Sequence, residues 1–319
     1  MVQSRRAHSV ARLARCCFEP LSSSIGGSIV NRLAGVAATI GSVLLAGASL
    51  SAVGRRRWNL STRTLSARLD AAQFSPIATR YDSRELAGLP TPVQRYFRAV
   101  LENGQPIVNS VSIDQTGSLN LSQASEQWRA FTAQQRVTTR TPGFVWNARI
   151  KFAPGISVLV HDSYIAGAGA IEASVMGLLS LAAQQGGGEL ARGELIRYFA
   201  EAAWYPSALL PSQGVHWAAV DERSADATLI DGPISVTMRV TFDDAGLIRS
   251  CRFEARGMAV GEKSVSMPWE GCWSDYARRG GMRVPLSGEA AWFLPQGRKS
   301  YWRGVVDSIA YGTGSPCPE

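Results

Sequence analysis

The sequence predicts an α+β domain. A strongly curved, half-barrel-like antiparallel sheet carries helices on its concave face, behind one N-terminal transmembrane or signal segment. Three observations carry that expectation. From residue 107 to residue 311 the chain breaks into short alternating apolar segments separated by Gly- and Asp-containing turns. Two stretches, around residues 92–102 and 190–205, repeat apolar residues at helical spacing. One run, Leu33 to Gly54, holds no charged residue.

That run comes first. LAGVAATIGSVLLAGASLSAVG (33–54) is long enough to cross a hydrocarbon core of about 30 Å, and it lies between Arg32 and Arg55–Arg57. Two readings stay open: a signal peptide with Ala46-Gly47-Ala48 as the cleavage site, or a retained single-pass helix. Basic residues on both flanks leave the orientation open. Residues 1–57 hold eight Lys/Arg and one acid, Glu19, so this leader carries seven of the eight units of net positive charge. The remainder is close to neutral. A nucleic-acid domain carries its own basic footprint, so no nucleic-acid partner is expected. The partners expected are a membrane and a lipid or other amphiphilic ligand, at the cell envelope. The expected organisation is a leader at 1–57, a polar connector at 58–88 with a short helix around Thr64–Gln73, one domain at 89–312, and a tail at 313–319.

Leu89-Pro90-Thr91-Pro92 opens a helix that runs to Glu102. Thr91 is positioned as its cap and Pro92 suits the first turn. Val93, Tyr96, Phe97, Val100 and Leu101 form one apolar face and read as core. Strand segments follow at Ile107–Leu121, broken at Gly117, then at Trp128–Arg140, Phe144–Phe152 and Ile156–Ile165. Val175–Ala183 is apolar and reads as helix, and Gly186-Gly187-Gly188 reads as a flexible break. Beyond the second helix lies a meander: Val215–Asp221, Ala225–Ile230, Ile234–Phe242, Leu247–Ala255, Trp269–Tyr276, Met282–Trp292 and Arg298–Tyr311. Asp231-Gly232 and Asp243-Asp244-Ala245-Gly246 are its hairpin turns.

The second helix lies in GELIRYFAEAAWYPSALL (193–210). Leu195, Ile196, Phe199, Ala202 and Ala203 share one face, and Glu194, Arg197, Tyr198 and Glu201 share the other. Pro206 stops it near Trp204 or Tyr205. The polar stripe has two readings. It is either a solvated face with ion pairs of about 0.2–0.5 kcal/mol each, or a face turned into a cavity. There Arg197 would hold an anionic or carbonyl group, and a Glu would move a proton. Tyr198, Trp204 and Tyr205 favour burial. Trp146, Trp204 and the other tryptophans either fill a core or line a cavity.

The motifs of cofactor and metal chemistry are missing. The five cysteines make no CxxC pair, although Cys251 and Cys272 could bond if they sit on neighbouring strands. The three histidines make no HExxH motif, and there is no P-loop or GxSxG elbow. No cofactor and no metal are expected. His161 and Asp162 are adjacent on a strand, so they point to opposite faces and cannot form a dyad.

LPTPVQRYFRAVL (89–101), TPGFVWNARI (141–150), GELIRYFAEAAWYPSALL (193–210) and WSDYARRGGMRVPLSGEAAW (273–292) together resemble a bacterial protein family of unknown function, over Leu89 to Tyr311. That resemblance brings no catalytic residue with it. The meander VHWAAVDERSADATLIDGPISVTMRVTFDDAGLI is similar to periplasmic lipoprotein-carrier-like folds, which implies a curved sheet wrapped around helices and an apolar cavity. The function expected is a membrane-tethered or exported envelope protein that binds an apolar or amphiphilic ligand in a cavity between sheet and helix. Its candidate site residues are Glu194, Arg197, Tyr198, Glu201, Trp204, His161 and Trp146. The alternatives are an envelope hydrolase using Glu194 or Glu201 with His161, and a structural envelope protein.

Overall fold

The computed structural model describes residues 24–73, 80–122, 125–260 and 263–313, excepting the side chains at 24–41, 43, 44, 259, 260 and 263. The chain divides between Ala52 and Val53 into two compact units.

Helix α1, Ser24–Ala71, is one continuous helix of 48 residues. It passes through the uncharged run and through what the sequence presents as a connector, so the short helix expected near Thr64 is the end of a longer one. The reason is local: no proline interrupts Ser24–Ala71, and the change from apolar to basic composition at Arg55 does not disturb helical geometry. Among the described residues no helix is long and apolar enough to cross a membrane. Half of the side chains of the 33–54 run lie outside the described residues.

In the second unit α2, Thr91–Val100, buries Pro92, Val93, Tyr96, Phe97 and Val100. Thr91 is its first helical residue and not its cap; Pro90 holds the cap position at φ −51° and ψ 140°, with no side-chain cap bond. Proline's missing N–H costs little there.

Among the described residues the sheet has thirteen strands. The first six are β1 (Ser110–Asn120), β2 (Trp128–Thr138), β3 (Gly143–Ala153), β4 (Ile156–Ile165), β5 (Ala168–Val175) and β6 (Leu179–Gly186). Helix α3, Gly188–Ala200, follows. The rest are β7 (His216–Ala219), β8 (Ser224–Asp231), β9 (Ile234–Phe242), β10 (Ile248–Val260), β11 (Lys263–Arg279), β12 (Met282–Leu294) and β13 (Gly297–Gly312). The order is β6-β5-β4-β3-β2-β1-β13-β12-β11-β10-β9-β8-β7, antiparallel at every pairing. Two meanders therefore meet at one seam, β1 against β13, and the sheet stays open at β6 and β7.

Residues 175–183 correct the sequence reading. They are the end of β5, a turn with Met176 at φ 55° and Gly177 at φ 72°, and the start of β6. Strand β6 lies at the sheet edge with nearly every residue exposed. An edge strand bare on both faces has no alternation to reveal it, and its Ala and Leu content mimics a helix. Gly117 does not break β1. It lies within the strand because a Cβ there would overlap the Arg303 carbonyl and the Phe131 ring. Gly186 to Gly188 close β6 and open α3, with Gly188 at φ 62°.

Helix α3 shows that the sheet curls. It touches β3, β4 and β5 on one side and β9 and β10 on the other. From β5 to β10 is eight steps in the strand order. At about 4.8 Å per step a flat sheet would separate them by about 38 Å. Thirteen residues of helix reach only about 20 Å, so the sheet wraps the helix. The helical course then tightens into a 3-10 turn, Glu201–Trp204, and ends at Tyr205, φ −137° and ψ 64°, before Pro206, where the sequence places the stop. Inside lie Tyr96, Phe97, Phe144, Tyr164, Phe199, Trp204 and Tyr205, all at most 1 % exposed.

The last turns of α1 pack on the opposite face. Trp58 and Leu69 are buried there, Trp58 Nε1 donates to Asn147 Oδ1 at 2.9 Å, and Arg136 pairs with Asp70 at 3.0 Å. The helices are thus not all on the concave side. Gly54 makes the close approach possible: a Cβ would overlap the Met176 carbonyl and the Leu178 side chain.

Cys251 and Cys272 are both free. They do lie on neighbouring strands, but Cys251 is opposite Gly271 and Cys272 opposite Ser250. One residue of offset sends their side chains to opposite faces.

Candidate functional site

Strand β4 presents Asp162 to the concave side, where α3 presents Arg197 one turn before Glu201. Arg197 Nη1 donates to Asp162 Oδ2, and Nε donates to Glu201 Oε1 at 2.8 Å. The Glu201 Oε2 accepts from Gln135 Nε2 at 2.6 Å. The guanidinium lies over Phe144 at 4.9 Å and Trp146 at 4.8 Å, and Trp146 Nε1 in turn donates to Gln115 Oε1 at 3.1 Å. The side chains of Arg197, Asp162 and Glu201 are 14 %, 16 % and 11 % exposed. The polar stripe is therefore buried, and the solvated reading falls. Burial pulls the Arg197 pKa down, but Glu201 and Asp162 more than offset it and hold the guanidinium above its ordinary value.

Glu194 sits one turn earlier and is 4 % exposed. Its Oε2 has no hydrogen-bond partner among the described residues. Burial, reinforced by the charge of Asp162, pushes its pKa well above the ordinary 4.5. The folded state then holds this proton more firmly than the unfolded chain. The stability tied to it is fully present below the unfolded value and fades as pH rises through the folded one. Glu194→Gln, which cannot ionise, is expected to match the wild type near pH 4.5 and to be the more stable of the two at alkaline pH. Urea midpoints of both proteins across that range check this. Parallel curves would show that Glu194 is not held neutral.

Glu194, Arg197, Glu201 and Trp204 form one wall of a cavity of about 520 Å³, with Trp146 beside them. The opposite wall comes from the second meander: Arg256, Trp269, Trp273, Trp292, Tyr301 and Trp302. Arg256 is 8 % exposed. Its guanidinium lies 4.8 Å from the Trp269 ring and 5.6 Å from Trp292, with Nη1 3.5 Å from Tyr301 Oη. Trp269 Nε1 donates to the same hydroxyl at 2.9 Å. Among the described residues no carboxylate forms an ion pair with Arg256.

Two sequence candidates lie elsewhere. Tyr198 is core: its hydroxyl donates to the Thr139 carbonyl at 3.3 Å, and its own carbonyl accepts from Tyr205 at 2.6 Å. His161 faces the other side of the sheet, stacked on Trp58 at 3.9 Å, with Thr62 Oγ1 2.8 Å from Nε2. Burial lowers its pKa, against a smaller opposing pull from Glu172. The sheet separates it from Glu194 and Glu201. Among the described residues no group of three His, Cys, Asp or Glu could hold a metal ion.

Arg256 is the residue that sequence reasoning missed, and β10 explains why. Cys251 and Phe253 point inward, Glu254 and Ala255 are both exposed, and Arg256 and Met258 point inward again. The pairing with β11 shifts register between Phe253 and Arg256. This bulge turns a residue that strict alternation would put in solvent into the cavity.

Residues 87–311 match a family described as a family of unknown function, DUF6920. The chain belongs to the DUF6920 family. Every residue lining the cavity, from Leu119 to Trp302, lies within the DUF6920 span, whereas α1 precedes it. No curated protein matches the chain. Among solved structures, it is similar to a LolA superfamily protein from Nitrosomonas europaea at 9 % identity, covering 66 % of this chain and 87 % of that chain, with a TM-score of 0.33. It is also similar to a β-barrel-like protein of a domain of unknown function, DUF1849, from Brucella abortus, at 10 % identity, covering 65 % and 98 %, with a TM-score of 0.20.

Proposed function

We propose that this protein binds an apolar or amphiphilic ligand in the cavity between α3 and the sheet, and that it does so at the cell envelope. The observation that carries the reading is the cavity itself. Its volume of about 520 Å³ falls in the range of small-molecule sites, and tryptophans stand on both of its walls. Gly193 supports it. A glycine inside a helix costs about 1 kcal/mol relative to alanine. Gly193 lines the cavity, and a Cβ there would meet nothing within 4 Å. Helix stability is given up where a side chain would intrude on the space.

The envelope placement rests on the uncharged run at 33–54 and its arginine flanks. Whether that segment is cleaved or retained, fractionation of the full-length protein reads the outcome: an uncleaved chain in the soluble cytosolic fraction would overturn the placement. The hydrolase that pairs Glu194 or Glu201 with His161 has no geometric support, because β4 holds His161 on the far face.

Native mass spectrometry of the full chain, extracted from its own membranes, tests the ligand. Adducts of lipid mass are expected on the wild type and are expected to be lost from Gly193→Leu, whose side chain fills the space without changing any charge. A wild type free of adducts that also takes up no added lipid would end the reading.

A further inference from the structure

The cavity contains two buried arginines in different states. Arg197 has its donors committed to Asp162 and Glu201. Arg256 is as deeply placed, yet among the described residues its single hydrogen-bond partner is a tyrosine hydroxyl at 3.5 Å. A buried guanidinium without an ion-paired carboxylate is expensive. Contact with two tryptophan faces offsets part of that cost and leaves most of its five N–H groups available.

The other charges of the cavity do not oppose an incoming anion. Asp162 and Glu201 are engaged by Arg197. Glu289 is paired with Arg298 at 2.6 Å and Arg303 at 2.8 Å. Glu194 lies close enough to feel Arg256 and Arg197, but burial and Asp162 outweigh their pull and hold it toward its neutral form, and Glu189 is exposed. A cationic ligand is disfavoured, because the Trp269 and Trp292 faces that would receive it are already covered by Arg256 itself.

We infer that the ligand is an anionic amphiphile, and that Arg256 receives its oxyanion head group, a carboxylate or a phosphate, while its apolar chain lies along Trp146, Trp204 and Trp302. This rests on the ligand-cavity reading above. The fork of a guanidinium suits either oxyanion. The β10 bulge is the device that brings it inside.

The test uses the full chain held in amphipol, with tryptophan fluorescence as the readout. The probes are oleic acid, oleyl alcohol, oleyl phosphate and inorganic phosphate alone. The acid and the phosphate ester are expected to bind about 10- to 100-fold more tightly than the alcohol, the worth of one charge-assisted hydrogen-bonded contact. Arg256→Gln is expected to bring the affinities for the acid and the ester down to that for the alcohol measured on the same variant. The comparison of acid with alcohol on the wild type needs no variant, so it holds even if Arg256→Gln folds poorly. Equal binding of acid and alcohol would overturn the head-group assignment and leave the cavity reading intact. Inorganic phosphate binding as tightly as the ester would make this a free-anion site and overturn the amphiphile. Failure of every probe to bind would overturn the cavity reading and this inference with it.

Discussion

Arg197→Ala is expected to lower folding stability by about 3–5 kcal/mol, the cost of leaving a buried charge without its partner. Two carboxylates depend on this guanidinium. Asp162 comes from β4 in the first meander and Glu201 from the 3-10 turn after α3. Each is less than a fifth exposed where it stands, and Asp162 already has one oxygen without a hydrogen-bond partner among the described residues. The variant also loses the contacts with Phe144 and Trp146. Salt should matter little, because the pair is shielded from the ions that screen surface charges. Urea denaturation at low and high sodium chloride gives the answer. A loss below about 1 kcal/mol that shrinks further in salt is the signature of a surface pair, and it would sink the buried site.

Phe97→Ala is the second change with a large expected effect, again about 3–5 kcal/mol. Phe97 is 0 % exposed on α2. Its ring centroid lies 5.3 Å from Tyr96 and 6.1 Å from Trp217, edge-on to the latter. Trp217 continues the contact to Phe242 on β9. Truncation leaves a gap between a helix and strands that are fixed by their own ladders, so collapse into the space is restricted. The measurement is the shift of the urea midpoint at constant m-value. A midpoint equal to wild type would show that the Val93–Leu101 face is not core.

Both changes fall on residues whose importance was visible in sequence, and the reasons differ. The α2 stripe is a local signal, since period 3.6 over ten residues needs no knowledge of the partner. Most strands of the meanders were visible for the same reason, with turns at Asp231-Gly232 and Asp243–Gly246 closing hairpins. Two kinds of information were not local. Strand β6 is exposed on both faces and carries no alternation. Arg256 reaches the cavity through a register shift that is defined only relative to β11. The Arg197 stripe was ambiguous for a third reason. A polar helical face looks alike whether water or Asp162 lies opposite, and Asp162 is 35 residues away in the chain.

The seam between β1 and β13 has a consequence for how the protein is made. Ser110 pairs with Gly312 and Leu119 with Trp302, partners roughly 200 residues apart in the chain. At a synthesis rate of about 5–20 residues per second, about 10–40 seconds pass between the emergence of one side of the seam and the other. Each meander can assemble from neighbouring hairpins in that interval, because its pairings are sequential. Until β13 arrives, however, β1 and β12 both present unpaired backbone, the kind of edge that recruits strands from other chains. Completion of the sheet is therefore timed by its C-terminal strand. A truncation before Gly297 removes the join at the middle of the sheet, not a strand from its margin, and leaves two half-sheets with sticky inner edges.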